Sequence, residues 1–303
     1  MSTAAPWRIE RGSPGYPAGL LDLDLRERPR LHGVGDRGLL GRLQDEPAVT
    51  IVGARRASSY GLRVAETLAR DLATARVPVV SGMALGIDSA AHRGALAGGG
   101  STIAVLAGGP DRASPPSNFE LHRRIAVSGS VVSEHPPGSR VEPRHFAQRN
   151  RIMAALGQVV VIVEAAQPSG SLITADVALK LGRTVGAVPG QLGVRVAEGT
   201  NDLLHEGAHL IRDARDVLDL LFGVGASGDL PAGDPRPGPA LEREPRELLE
   251  LVRSGAATVD RLAVESGLGS RQVAIALARL ELLGYVSTDA LGAYSVTGLR
   301  APE

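Results

Sequence analysis

The chain has 303 residues, 43% of them hydrophobic, with 33 basic and 33 acidic side chains and no cysteine. Disulfides, thiolate catalysis and cysteine-based zinc sites are therefore excluded, and the balanced charge gives no global signal for nucleic acid. No apolar run reaches the length of a membrane span and residues 1–10 lack the apolar core of a secretory leader, so the expectation is a soluble cytoplasmic protein with no membrane role.

Aromatic residues make up only 3% of the chain, which leaves the core to Val, Leu, Ile and Ala. Residues 1–47 are rich in Pro, Gly and Arg and read as a lead-in packed on the main domain. Residues 48–222 alternate Val/Ile-rich runs (49–52, 78–81, 102–106, 130–133, 159–164, 184–188 and 209–211) with helical patterns (60–75, 88–97, 118–126, 150–156, 171–181, 201–206 and 215–221). This alternation predicts an α/β, Rossmann-like parallel sheet covered by helices, with ligands beyond the carboxyl ends of the strands. Residues 223–244 contain nine Gly and Pro residues and read as a flexible linker. Residues 245–303 give helices over 246–253, 258–266 and 270–283, then two short strands, which is a small winged-helix pattern.

Charge is not spread evenly. Residues 48–222 hold 18 basic and 15 acidic side chains, whereas 245–303 hold 6 and 7. Nearly all the cations are arginines, and Lys180 is the only lysine. Arg271, Gln272 and Arg279 lie on the third tail helix, where a duplex reader would place base contacts, but the acidity of this region opposes duplex binding.

The loops that end the strands carry the functional reading. Gly53 to Gly61 joins a buried strand to a helix, and its backbone N–H groups, Arg55 and Ser58 suit phosphate. It matches neither the GxGxxG nor the Walker pattern, and a solvated pair, Arg55 and Arg56, explains it equally well. Ser81 and Gly82 repeat the plan. There Asp88 is expected to be a helix cap and His92 a helix-surface residue. The run Phe146 to Arg151 is expected in a loop. It sets Arg144, Arg149, Asn150 and Arg151 around a phenylalanine, a chemistry suited to single-stranded nucleic acid. Core packing of Phe146, with the arginines paired to Glu134, Glu142 and Glu164, is the competing reading. Ser169 and Gly170 open another anion-ready helix, although ordinary capping by Ser171 would serve as well. His205-Glu206-Gly207-Ala208-His209 satisfies HExxH, but Gly207 reads as a helix end, so the two imidazoles diverge and no metal is expected. No catalytic constellation is visible, and binding is expected over turnover, without a cofactor.

In order along the chain, several stretches resemble the DprA (Smf) family of DNA-processing proteins: Gly53-Ala54-Arg55 with Ser58; Ser81-Gly82 with Gly86-Ile87-Asp88; Phe146 with Arg149-Asn150-Arg151; Ser169-Gly170-Ser171; Val188-Pro189-Gly190; and Gly199-Thr200-Asn201. The resemblance implies a homodimer that binds single-stranded DNA without base specificity, protects it, and loads RecA during natural transformation or recombination. It implies DNA contacts from Gly53, Arg55, Ser58, Ser81, Gly82, Arg144, Phe146, Arg149, Asn150, Arg151, Ser169 and Gly170. Two departures are Ser114 where the family has tyrosine before Pro115, and Ala147 where it has proline. The alternative on the same fold is a LOG-like nucleotide phosphoribohydrolase, but Pro189-Gly190-Gln191 departs from the PGGxGT pattern of that group.

Overall fold

The central strands concentrate Val and Ile, because a parallel strand covered on both faces is mostly apolar. The computed structural model describes residues 5–224, 241–255, 258–283, 285–288 and 293–296. The chain divides into two compact units, residues 1–229 and 230–303. In the first unit the elements run β1 (Trp7–Ile9), β2 (Leu31–Gly35), α1 (Arg37–Arg42), β3 (Val49–Val52), α2 (Ser59–Thr74), β4 (Val79–Ser81), α3 (Ile87–Ala97), β5 (Thr102–Leu106) and α4 (Phe119–Ser128). They continue through β6 (Ser130–Ser133), α5 (Pro143–Leu156), β7 (Val159–Ile162), α6 (Gly170–Lys180), β8 (Thr184–Ala187), α7 (Arg195–His205), β9 (His209–Leu210) and α8 (Ala214–Phe222).

Among the described residues, nine strands form one sheet in the order β1-β2-β6-β5-β4-β3-β7-β8-β9. From β6 to β9 every pairing is parallel. This is the Rossmann-like α/β architecture that the alternation predicts. The order reverses between β3 and β7, so the loops leaving those two strands diverge and open a crevice at their carboxyl ends.

The lead-in does more than pack on the sheet. β1 and β2 extend it antiparallel, with Val34 opposite Val131 of β6. Trp7 lies over Gly33, where an added Cβ would stand 2.3 Å from the indole, and its Nε1 donates to the Gly35 carbonyl at 2.9 Å.

The second unit contains α9 (Arg243–Arg253), α10 (Val259–Ser266), α11 (Ser270–Leu282), β10 (Val286–Thr288) and β11 (Tyr294–Val296). Gly267 ends α10 in the left-handed conformation, at φ 71°, which turns the chain into α11. Leu248, Leu262, Val273, Leu277 and Tyr285 form its core, and β10 pairs with β11 as the wing. Arg279 pairs with Glu242 at 3.0 Å, tying α11 to the start of α9. Most of the expected linker, residues 225–240, lies outside the described residues. Among the described residues, no helix is long and apolar enough to cross a membrane.

Candidate nucleic-acid interface

The loop after β3 is shaped by one carboxylate. Glu164, buried just beyond β7, accepts from the Ser58 backbone at 2.8 Å and from the Ser58 hydroxyl at 2.5 Å. The same hydroxyl caps α2 by accepting from the Gly61 amide at 3.0 Å. The Glu164 carbonyl takes the Ala54 amide at 2.7 Å. Ser58 is thus committed to loop geometry. Gly53 serves close packing within the chain, since a Cβ there would meet the Ile87 side chain at 2.7 Å and the Glu164 carbonyl at 2.8 Å. Held in this way, the loop presents Arg55 to solvent with its guanidinium 4.8 Å from the Phe146 ring centroid, a cation–π contact.

Phe146 to Arg151 is helical throughout, so the helix expected from residue 150 starts earlier, at Pro143, which corrects the loop expectation. α5 begins at Pro143, whose fixed φ suits a first helical position. Glu142 and His145 close a capping box before it, the Glu142 amide donating to His145 Nδ1 at 3.3 Å. Helical spacing then sorts the run by face. Phe146, Arg149, Asn150 and Met153 form one stripe, and all four line a cavity of about 300 Å³ together with Gly53, Arg55 and Asp88.

Arg149 is the inner cation of this cavity. It is buried, and its Nη1 donates to the Val105 carbonyl at 3.2 Å and lies 3.8 Å from the Asp88 carboxylate. Its Nε is buried without a hydrogen-bond partner. Burial pulls the Arg149 pKa down, and Asp88 opposes that shift. Gly82 makes room for the guanidinium: a Cβ there would sit 1.3 Å from Arg149 Nη1. Ser81 is fully buried with its hydroxyl given to the Ile51 carbonyl at 2.6 Å, so its side chain holds β4 to β3.

Arg144 and Arg151 lie elsewhere. Arg144 is exposed and pairs with Glu142 at 2.9 Å. Arg151 pairs with Glu134 at 2.7 Å and lines a separate cavity of about 900 Å³ with Lys180. The far wall of the first cavity is the start of α6. Ser169 caps it, its hydroxyl 2.6 Å from that of Ser171, and Asn150 Nδ2 donates to the Gly170 carbonyl at 3.0 Å. No heavy atom lies within 4 Å of a Cβ built on Gly170.

Two expectations on α3 are corrected. Gly86 is the cap residue, and Asp88 instead sits in the first turn, buried, accepting from the Ala84 amide at 3.3 Å. His92 is fully buried, with Nδ1 2.8 Å from the Thr102 hydroxyl. That hydroxyl already donates to the Val79 carbonyl, so Nδ1 carries the proton and donates to it. Nε2 is buried without a partner, and burial together with Arg149 pulls the His92 pKa down to about 3. His205 ends α7, Gly207 turns the chain at φ 101° and His209 begins β9, so the HExxH pair sits on two elements. Among the described residues, no group of three or more His, Asp or Glu could hold a metal.

Residues 8–222 match the family model for DNA recombination-mediator protein A, and residues 232–290 match that for the DprA winged helix domain. A DNA processing protein DprA of Mycobacterium tuberculosis is 45% identical over 241 residues, covering 78% of this chain and 61% of the relative. DprA of Streptococcus pneumoniae is 42% identical over 172 residues, covering 57% of this chain and 61% of the relative. The chain therefore spans about three-fifths of the length of these relatives. An X-ray structure of DprA from Streptococcus pneumoniae superposes with a TM-score of 0.65 at 37% identity, covering 70% of this chain and 72% of that one. DNA processing protein A of Helicobacter pylori, whose structure is described for its single-stranded DNA binding mode, gives 0.64 at 32% identity, covering 73% and 97%.

Proposed function

Since the chain belongs to the DprA (Smf) family of DNA-processing proteins, we propose that the crevice between β3 and β7 binds single-stranded DNA without base specificity. The observation that carries this reading is the Arg55 guanidinium set over the Phe146 ring at the mouth of a cavity whose wall holds Arg149. Phosphates meet Arg55 and the amides of the loop after β3, while a base stacks on Phe146. Stacking is tolerant of sequence because every base has a π face. Arg149, Asn150, Ser169 and Gly170 give the cavity its polar lining. Gly53, Ser58, Ser81 and Gly82 set its shape, and Arg144 and Arg151 act at its periphery through the strand's wider field. In this reading a homodimer protects the strand and hands it to RecA, without turnover of its own. The domain plan that goes with it is a lead-in over residues 1–47, the strand-binding domain over 48–222, a linker over 223–244 and the winged helix over 245–303.

Titration of oligo-dT at fixed salt tests the reading. Phe146→Ala is expected to weaken binding by about tenfold, within the range of one lost base–aromatic stack. Affinity is also expected to fall as salt rises, through counterion release. Undiminished affinity in the Phe146 variant overturns the proposed crevice, and adenine released from AMP would favour the phosphoribohydrolase reading instead.

A further inference from the structure

The cavity wall holds one carboxylate, Asp88, and it stands where an anionic ligand needs a cation. Asp88 Oδ2 lies 3.8 Å from Arg149 Nη1, and the two side chains are only 7% and 6% exposed. Arg149 cannot swing away to meet a ligand, because Nη1 is held by the Val105 carbonyl at 3.2 Å and the Met153 sulfur at 3.3 Å. A phosphate entering the cavity therefore finds its inner cation already neutralised. Two anions beside one guanidinium, in a place with little water, repel each other unless one takes a proton. We infer that binding of an anionic strand in this cavity is coupled to uptake of one proton by Asp88, so that Asp88 sets the pH range over which the site grips its ligand. The inference rests on the strand-binding reading above and adds the regulation of the same site.

The surroundings assign the proton to Asp88. The charged groups facing it are Arg149 from α5 and Arg55 from the loop after β3, and the Ala84 and Gly82 amides hydrogen-bond to it. Burial raises its pKa from the ordinary carboxylate value and these four groups oppose the rise. On its own helix, one turn along, His92 is held neutral by burial, its pKa near 3, and does not compete. Outside the cavity, His135 stacks on His145 at 3.8 Å near the start of α5, and any titration there is common to wild type and an Asp88 variant.

The test is oligo-dT affinity against pH for the full chain and for Asp88→Asn. Wild-type affinity is expected to rise as pH falls, by up to about tenfold per pH unit where one proton is taken up. Asp88→Asn, already neutral, is expected to bind more tightly than wild type at the high end, with a flatter profile. An Asn variant that keeps the full wild-type slope, or that binds no more tightly at high pH, overturns the inference. Should that variant not fold, the infrared difference spectrum of wild type on adding oligo-dT decides: a new protonated-carboxyl band supports the inference and its absence overturns it. Strand binding with no pH dependence defeats the proton coupling alone, whereas no strand binding at any pH defeats the parent reading as well.

Discussion

The loop after β3 and the loop after β4 share one plan. Each succeeds a buried strand, places a glycine at or next to the strand end and leads into a helix. They face opposite ways. The first turns outward, with Arg55 and Arg56 exposed and Arg55 over Phe146. The second turns inward: Ser81 and Met83 are fully buried, and Met83 adopts φ 58°. Gly82 opens space for Arg149, and Gly86, at φ 81°, passes so close to the outer loop that a Cβ would stand 2.2 Å from the Ala54 carbonyl. The Ile87 amide donates to that same carbonyl at 3.2 Å. The inner loop therefore acts as the support against which the outer loop is set. A glycine after a strand signals close approach. Whether a ligand or the protein's own side chain does the approaching depends on the residues beyond the glycine: Arg55 and Arg56, polar and exposed, in the first loop, and Met83 and Ile87, apolar and buried, in the second.

The difference can be broken first at its buried side. His92 has a folded pKa near 3 against 6.5 in the unfolded chain, so the unfolded state gains a proton that the native state refuses. Stability is expected to be full above about pH 6.5 and to fall as pH drops toward 3, by on the order of 5 kcal/mol at the limit. Denaturant titrations across that range should show the loss, and His92→Leu should flatten it. A smaller effect is expected at Gly82. Gly82→Ala forces Arg149 to move and should cost about 1–3 kcal/mol of stability, measured by the denaturation midpoint, together with strand binding. Arg55→Ala sharpens the comparison from the other side. It should weaken oligo-dT binding by about tenfold, in line with the loss of a charge-assisted contact, and leave the melting temperature within about a degree. At the low end, Gly170→Ala, with open space around the new methyl, should change stability by less than about 0.5 kcal/mol. An Arg55 variant that unfolds, or a Gly82 variant that does not suffer, would reverse the roles assigned to the two loops.

The parallel sheet was readable because β3, β5, β6 and β7 are short apolar runs between helical periods, a pattern that is local in the chain. β1 and β2 were not. They are short, Gly33 and Gly35 dilute the second, β2 is held by pairing with β6, about a hundred residues away, and β1 is held in turn by β2. At the site, residue types and the strand ends that carry them could be read, but facing could not. Placing Phe146 to Arg151 in a loop hid the helix start at Pro143 and left the run as one cluster. On the helix, Arg149 turns inward and Arg151 turns away to Glu134. The buried His92 had one overlooked signal: Ala90, Ala91, Gly94 and Ala95 around it are all small and all buried, as on a helix packed on more than one side.

The α6 helix has a chemical consequence. It starts at the cavity wall and ends at Lys180, exposed and the only side-chain amine in the sequence. At 1.5 Å per residue, that amine's backbone lies about 15 Å from the helix start. An amine-directed dye would therefore label one known lysine at a fixed spacing from the crevice, without mutagenesis. Acylating enzymes, by contrast, find no lysine at the crevice itself: its cations are guanidinium groups, beyond the reach of acetyl transfer.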